Sequence, residues 1–130
     1  MAIDRVKWST GAAVGEVGAA TATGYSSFVH GEILAVHVNY QDSPPAGTTD
    51  FTLSDESDPA AESIISLTDQ ATDIKVYPRR VLEQNDGTDL LYASGGEKVY
   101  GPYVVHGRLK AVIAQANAND YVDVTVWFRS

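Results

Sequence analysis

Hydrophobic and polar residues alternate most cleanly near the C-terminus. Leu109, Ala111 and Ile113 alternate with Arg108, Lys110, Val112 and Ala114. The polar stretch Asn117-Ala118-Asn119-Asp120 interrupts the run, and a second one follows. It sets Val122, Val124, Val126 and Phe128 against Tyr121, Asp123, Thr125 and Trp127. A period of two with β-branched and aromatic residues predicts strands, and a short polar break between two such runs predicts a hairpin over 107–129. Residues 31–40 repeat the pattern, with Leu34, Val36, Val38 and Tyr40 on one face and Ile33, Ala35, His37 and Asn39 on a mixed one. The hairpin is expected to pair with this segment, because both offer one apolar face of similar length.

Shorter patches fill the rest of the chain. Ile3, Val6 and Trp8 lie among Asp4, Arg5 and Lys7. They predict a first strand; the alternative is an extended N-terminal arm over 1–17. Residues 11–24 are small and Gly-rich, predicting a loop followed by a small-residue strand over 19–23. Gln41 to Thr49, with Pro44 and Pro45, predicts a loop. Residues 50–54, 63–68, 74–77 and 90–93 predict short strands, and 99–105 an edge strand bent at Gly101-Pro102. Residues 79–84 suit either loop or one to two helical turns. About eight short strands, turn signals every ten residues or so and little helix predict an all-β fold. Its expected form is an antiparallel β-sandwich or jelly-roll-like Greek key, one domain over 1–130.

Composition narrows the partners. The 130 residues suit a single core without staples. Seventeen carboxylates against nine Lys and Arg give a net charge of −8, which argues against a broad nucleic-acid footprint. No apolar run reaches the length of a transmembrane helix, and Met1 to Trp8 is too polar for a secretory leader. With no cysteine there is no disulfide, thiolate metal site or cysteine nucleophile.

Motifs for catalysis are missing. Gly11, Gly15 and Gly18 fit neither the dinucleotide fingerprint nor a P-loop. Gly24-Tyr25-Ser26-Ser27-Phe28 lacks the second glycine of a nucleophile elbow. His30, His37 and His106 form no set with metal-ligand spacing, although His30 and His106 each precede a glycine that opens a strong strand. Two acidic clusters, Asp55-Glu56-Asp58 and Asn85-Asp86-Asp89, lack the full pattern of a calcium loop and read as solvated turns. No catalytic residue, metal or cofactor is expected. Tyr77-Pro78-Arg79-Arg80 places two arginines beside an aromatic, which suits an interface. The interface candidates are Trp8, His37, Tyr77, Arg79, Arg80, Arg108, Tyr121 and Trp127.

The order of these pieces carries a resemblance. A small-residue strand is followed by G-E-I-L-A-V-H-V, T-T-D-F-T-L, V-Y-P-R, G-R-L-K-A-V-I-A-Q and V-D-V-T-V-W-F. Over roughly residues 18–129 it resembles small structural proteins of tailed bacteriophages, in particular capsid decoration (cement) proteins. The resemblance implies a β-sandwich or jelly-roll, made in the host cytoplasm and carried on the virion. It also implies a homotrimer that binds the major capsid protein and clamps neighbouring capsomers, with no catalytic residues. A head-fibre, tail or connector component and a carbohydrate-binding module are the alternatives.

Overall fold

A computed structural model describes residues 2–41 and 45–130. The part of the expected loop at Asp42, Ser43 and Pro44 lies outside the described residues. The described residues form nine strands: β1 (Ile3–Ser9), β2 (Ala20–Gln41), β3 (Asp50–Asp55), β4 (Ser63–Leu67), β5 (Ile74–Val76), β6 (Arg80–Val81), β7 (Tyr100–Gly101), β8 (Val104–Ala116) and β9 (Tyr121–Arg129). The antiparallel all-β fold predicted from the sequence is therefore observed. Among the described residues there is no helix, so 79–84 resolves as loop and the two-residue β6. Residues 90–93 make only an isolated bridge, Leu91 to Lys98, in an excursion between β6 and β7.

The 22-residue β2 sets the architecture. Its first part, Ala20 to Glu32, pairs with β8; its second, Glu32 to Gln41, pairs with β9. The hydrogen-bonded order is β1-β9-β2-β8-β3-β4, with β5 on the other side of β2 at Val36–Val38. One layer contains β4, β3, β8 and the first part of β2. The other contains β5, the second part of β2, β9 and β1. Their inward faces supply one apolar cluster, including Val29, Ile33, Val36, Val38, Phe51, Leu53, Leu109, Ile113, Val122, Val124 and Val126.

The layers touch closely where small residues permit it. A Cβ on Gly24 would lie 2.1 Å from Ser9 O, so only glycine lets β1 cross there. Trp8 packs against the core at this crossing, and its indole N–H donates to Gly24 O (3.3 Å). Gly31 marks the hand-over of β2 between layers. Its φ is +128°, and a Cβ would sit 2.2 Å from Arg129 O.

Two features differ from the sequence expectation. First, β8 and β9 do not pair with each other as a hairpin; each pairs with β2, in different layers. The chain arches across the core at 117–120. Asp120 Oδ2 accepts from Asn117 N–H (2.9 Å) and Ala46 N–H (3.2 Å), while Asp120 O accepts from Ala13 N–H (2.8 Å). The corner is thus tied to neighbouring loops. Second, the small-residue strand and the 31–40 strand are one continuous element. Two bulges hide its continuity, because an extra residue reverses the alternation of faces. At the bulge between Ile33 and Ala35, Ile33 turns into the core rather than joining the mixed face, and Leu34 is only half-buried. Beyond it the expected faces hold: Val36, Val38 and Tyr40 inward, His37 and Asn39 outward.

Tyr40 is an unusual core residue. Its Oη has no hydrogen-bond partner among the described residues. Burial, and secondarily the nearby Asp73 carboxylate, pushes the phenol up to about 12.

Gly31→Ala should destabilise the fold by about 3 kcal/mol, since it combines a strained φ with a clash against backbone. Urea unfolding should show a lowered midpoint at unchanged slope. A second expectation concerns alkaline pH. The unfolded phenol loses its proton near 10, whereas the folded one keeps it to about 12. Stability from this group is intact below 10 and falls as pH rises between those values, by roughly 2–3 kcal/mol in all. Stability curves for wild type and Tyr40→Phe should diverge only in that window, with the variant losing less; parallel curves would contradict the assignment.

Candidate functional site

The outer faces of the two layers point to opposite sides of the sandwich, and each gathers residues that the core does not require.

On the β8 side the bulge at Ser26-Ser27 builds the face. These two residues oppose Leu109 alone. Ser26 is buried, and its hydroxyl accepts from Leu109 N–H (2.8 Å) and donates to Ser27 O (2.7 Å). Backbone groups left over by the irregular ladder are thereby satisfied. The inward positions run Ala20, Ala22, Gly24, Ser26 and then Val29, so Phe28 lands outside the core. It is 61% exposed. Beside it the register sets His30 directly opposite His106, and Val104, 74% exposed, opposite Glu32. Phe28 meets His106 edge-on with ring centroids 4.9 Å apart, and the two imidazoles are 6.1 Å apart. Arg108 stacks on the Tyr25 ring at 4.0 Å and forms a two-point ion pair with Glu56. Hydrogen bonding and charge from Arg108 hold the Glu56 carboxyl below its ordinary value.

The edge of this patch is fixed by Asp55. Its Oδ1 accepts from Ser57 N–H (2.9 Å) and lies 2.7 Å from Ser57 Oγ, while Oδ2 accepts from His106 N–H (3.1 Å). Partial burial opposes ionisation, but these hydrogen bonds and the His106 ring outweigh it and lower the carboxyl. Asp58 accepts from Ala60 and Glu62 N–H, and Asp86 accepts from Thr88 N–H and Oγ1. The hydrogen bonds from Thr88 depress the Asp86 carboxyl. Carboxylates of both acidic clusters thus cap their own turns. Among the described residues no three His, Cys, Asp or Glu side chains converge as metal ligands.

The opposite face is basic and aromatic. Register across β1, β9, β2 and β5 aligns Lys7, Thr125, His37 and Lys75 in one row. The next row holds Arg5, Trp127 and Ala35. The Lys75 ammonium lies 4.6 Å from the Trp127 ring centroid and 5.4 Å from that of Tyr77. Arg79 borders the face, donating to Leu34 O (3.4 Å) and Pro78 O (2.7 Å).

The structure therefore separates the eight residues singled out in the sequence. His37, Tyr77 and Trp127 come together, with Arg79 at their margin. Tyr121 shares the outward side of β9 with Trp127 but sits at its far end, opposite Gln41. Arg108 lies on the opposite layer. Arg80 pairs with Glu83 beside β7 (2.9 Å), and Trp8 is turned inward. Sequence reasoning passed over Phe28, His30, Val104 and His106 as contact residues, and Arg5, Lys7 and Lys75 as cations. The matched positions of His30 and His106 before Gly31 and Gly107 were the available signal for the first group. For the second it was the two-residue spacing of Arg5 and Lys7 on a strand.

An open depression lined by Gly31, Glu32, Val104, Arg129 and Ser130 lies at the hand-over point. Glu32 and Arg129 are ion-paired across it. This arrangement closes the sheet junction.

No protein-family model and no curated protein matches the chain. Solved structures similar to it at low levels include FlhE and PliG. FlhE is 15% identical with all of both chains covered, at a TM-score of 0.48. PliG of Aeromonas hydrophila, a periplasmic inhibitor of g-type lysozyme, is 10% identical over 96% of this chain and 85% of that chain, at a TM-score of 0.42. Neither value supports an argument about this chain.

Ser26→Ala should leave the buried Leu109 N–H without its partner and cost about 1–3 kcal/mol. Amide exchange should accelerate first at Leu109. Unchanged protection there would show that the hydroxyl does not hold the bulge.

Proposed function

We propose that this protein is a non-enzymatic virion component that docks on the outer surface of a tailed-phage capsid. It binds the major capsid protein and stabilises the shell by bridging neighbouring capsomers as a homotrimer. The observation that carries the reading is the exposed Tyr25, Phe28 and Val104 patch around the His30–His106 pair. An apolar patch set on rigid sheet, rather than scattered singly, fits a protein contact surface. Repetition over a shell would let many modest contacts add up. The sequence resemblance supplies the capsid as partner. The carbohydrate-binding alternative is less well supported, because Lys75 already lies over Trp127 and Tyr77, the aromatic pair best placed to stack a sugar.

Expanded capsids of the phage that encodes the chain provide the test. Wild-type protein should cosediment with them saturably. A Phe28→Ser/Val104→Ser variant should bind at least tenfold more weakly with an unchanged melting temperature, since exposed substitutions perturb folding little. Failure of the wild type to pellet, or undiminished binding by the variant, would refute the reading. Sedimentation equilibrium of the free protein checks the trimer.

A further inference from the structure

We infer that the outer face of β5, β2, β9 and β1 is a second docking surface, whose occupant is an extended acidic segment of a partner protein. The inference stands apart from the capsid reading, which rests on the opposite face.

The distribution of cations carries it. Of the nine Lys and Arg side chains, Arg80, Lys98, Arg108 and Arg129 are in ion pairs. Of the other five, Arg79 donates to backbone carbonyls and Lys110 lies on the β8 side within the field of Glu56. This leaves Arg5, Lys7 and Lys75 with no carboxylate partner among the described residues, although the chain contains seventeen carboxylates. All three cations occupy one face. Their register places them at its two margins: Arg5 and Lys7 on β1, and Lys75 on β5. Between them lie Trp127, Thr125 and the half-buried His37. The platform is therefore positive at both sides and aromatic in the middle, on a chain of net charge −8.

Spacing defines the occupant. Lys7 and Lys75 are separated by three strand-to-strand steps, about 14 Å. In an extended peptide, side chains four residues apart are also about 13–14 Å apart on the same side. The spacing is that of the strand backbones, and the Lys75 ammonium leans inward over Trp127. A partner strand crossing this face with acidic residues at i and i+4 would draw it off the ring and place one carboxylate near each margin. Its residue at i+2 would lie over Thr125 and His37, the middle of that row, favouring a small side chain. Arg5 adds a third donor group beside Trp127. A nucleic-acid backbone fits less well. It carries charge well beyond three cations, and it would run onto Asp123 and Glu32 at the ends of the same face. Discrete carboxylates match the limited extent of the positive surface.

The test uses isotope-labelled protein and a nine-residue peptide with glutamates four positions apart and valine between them. At about 20 mM salt, where screening is weak, the peptide should shift the Trp127 indole N–H and the amides of Lys7, Thr125, His37 and Lys75. Replacing both glutamates by glutamine should weaken binding at least tenfold, as should Lys7→Gln/Lys75→Gln. That variant retains much of the side-chain bulk; an unchanged amide spectrum away from the face separates loss of charge from loss of fold. Restoring salt to about 0.5 M should abolish the shifts. The inference is overturned if no shifts occur, if they map to the Phe28 face, or if the glutamine peptide binds equally. It is also overturned if an oligothymidylate of equal charge binds more tightly at this face. Concentration-dependent shifts of the same residues without peptide would instead identify a second copy as the occupant.

Discussion

The structure depends on one strand belonging to two sheets. β2 hands its hydrogen bonds from β8 to β9 at Glu32, one residue past Gly31. The layers are therefore joined through a backbone ladder as well as through side-chain packing. That junction needs a residue without Cβ, because Arg129 O occupies the space a side chain would take. The Glu32–Arg129 ion pair spans the same point from the outside. Once the hand-over is fixed, β8 and β9 must lie in different layers. The turn between them must then cross the core.

Bulges in the same strand decide what reaches the surface. A continuous alternation from Ala20 would carry position 28 inward. The extra residue at Ser26-Ser27 moves Val29 to that side and Phe28 outward. A smaller side chain thus enters the core, and a large aromatic joins His30 and His106. The buried Ser26 hydroxyl supports the irregularity by bonding Leu109 N–H. Exposure of Phe28 is consequently a result of backbone register, held by a specific polar contact. The bulge at Leu34 acts similarly on the other layer. It brings Ala35 opposite Trp127, where the small side chain is buried outside the main apolar cluster.

These devices explain what could be read in the sequence. β8 and β9 were legible because β9 alternates along its buried length and β8 does so from Val105 to Ile113. Their relation was not, since a hairpin and an arch both place turn residues between two alternating runs. Only partner strands distinguish them. β2 looked like separate pieces because both bulges break the period on which a pattern reading relies. On the sites, His37, Tyr77 and Trp127 were recognisable as residue types suited to an interface. Their union depended on β5 and β9 flanking the same part of β2, a long-range pairing that no local pattern encodes. Trp8 illustrates the converse: as an aromatic on an edge strand it suited either face, and the Gly24 carbonyl beneath it selects the inner one.

The two outer faces differ in their physics, and this bears on how a bridging protein would assemble. The Phe28 side presents apolar surface, whose burial gains about 25 cal/mol per Å² and is little affected by salt screening. The Trp127 side presents unpaired cations, which act over roughly a Debye length and chiefly govern encounter and orientation. On the proposed reading the first face contributes most of the holding free energy and the second selects register against an acidic neighbour. Because the layers share β2, neither face can rotate freely relative to the other. A partner that orients the charged side therefore also aims the apolar side. A sandwich with two independent sheets would transmit that constraint only through core packing; here the continuous strand carries it directly.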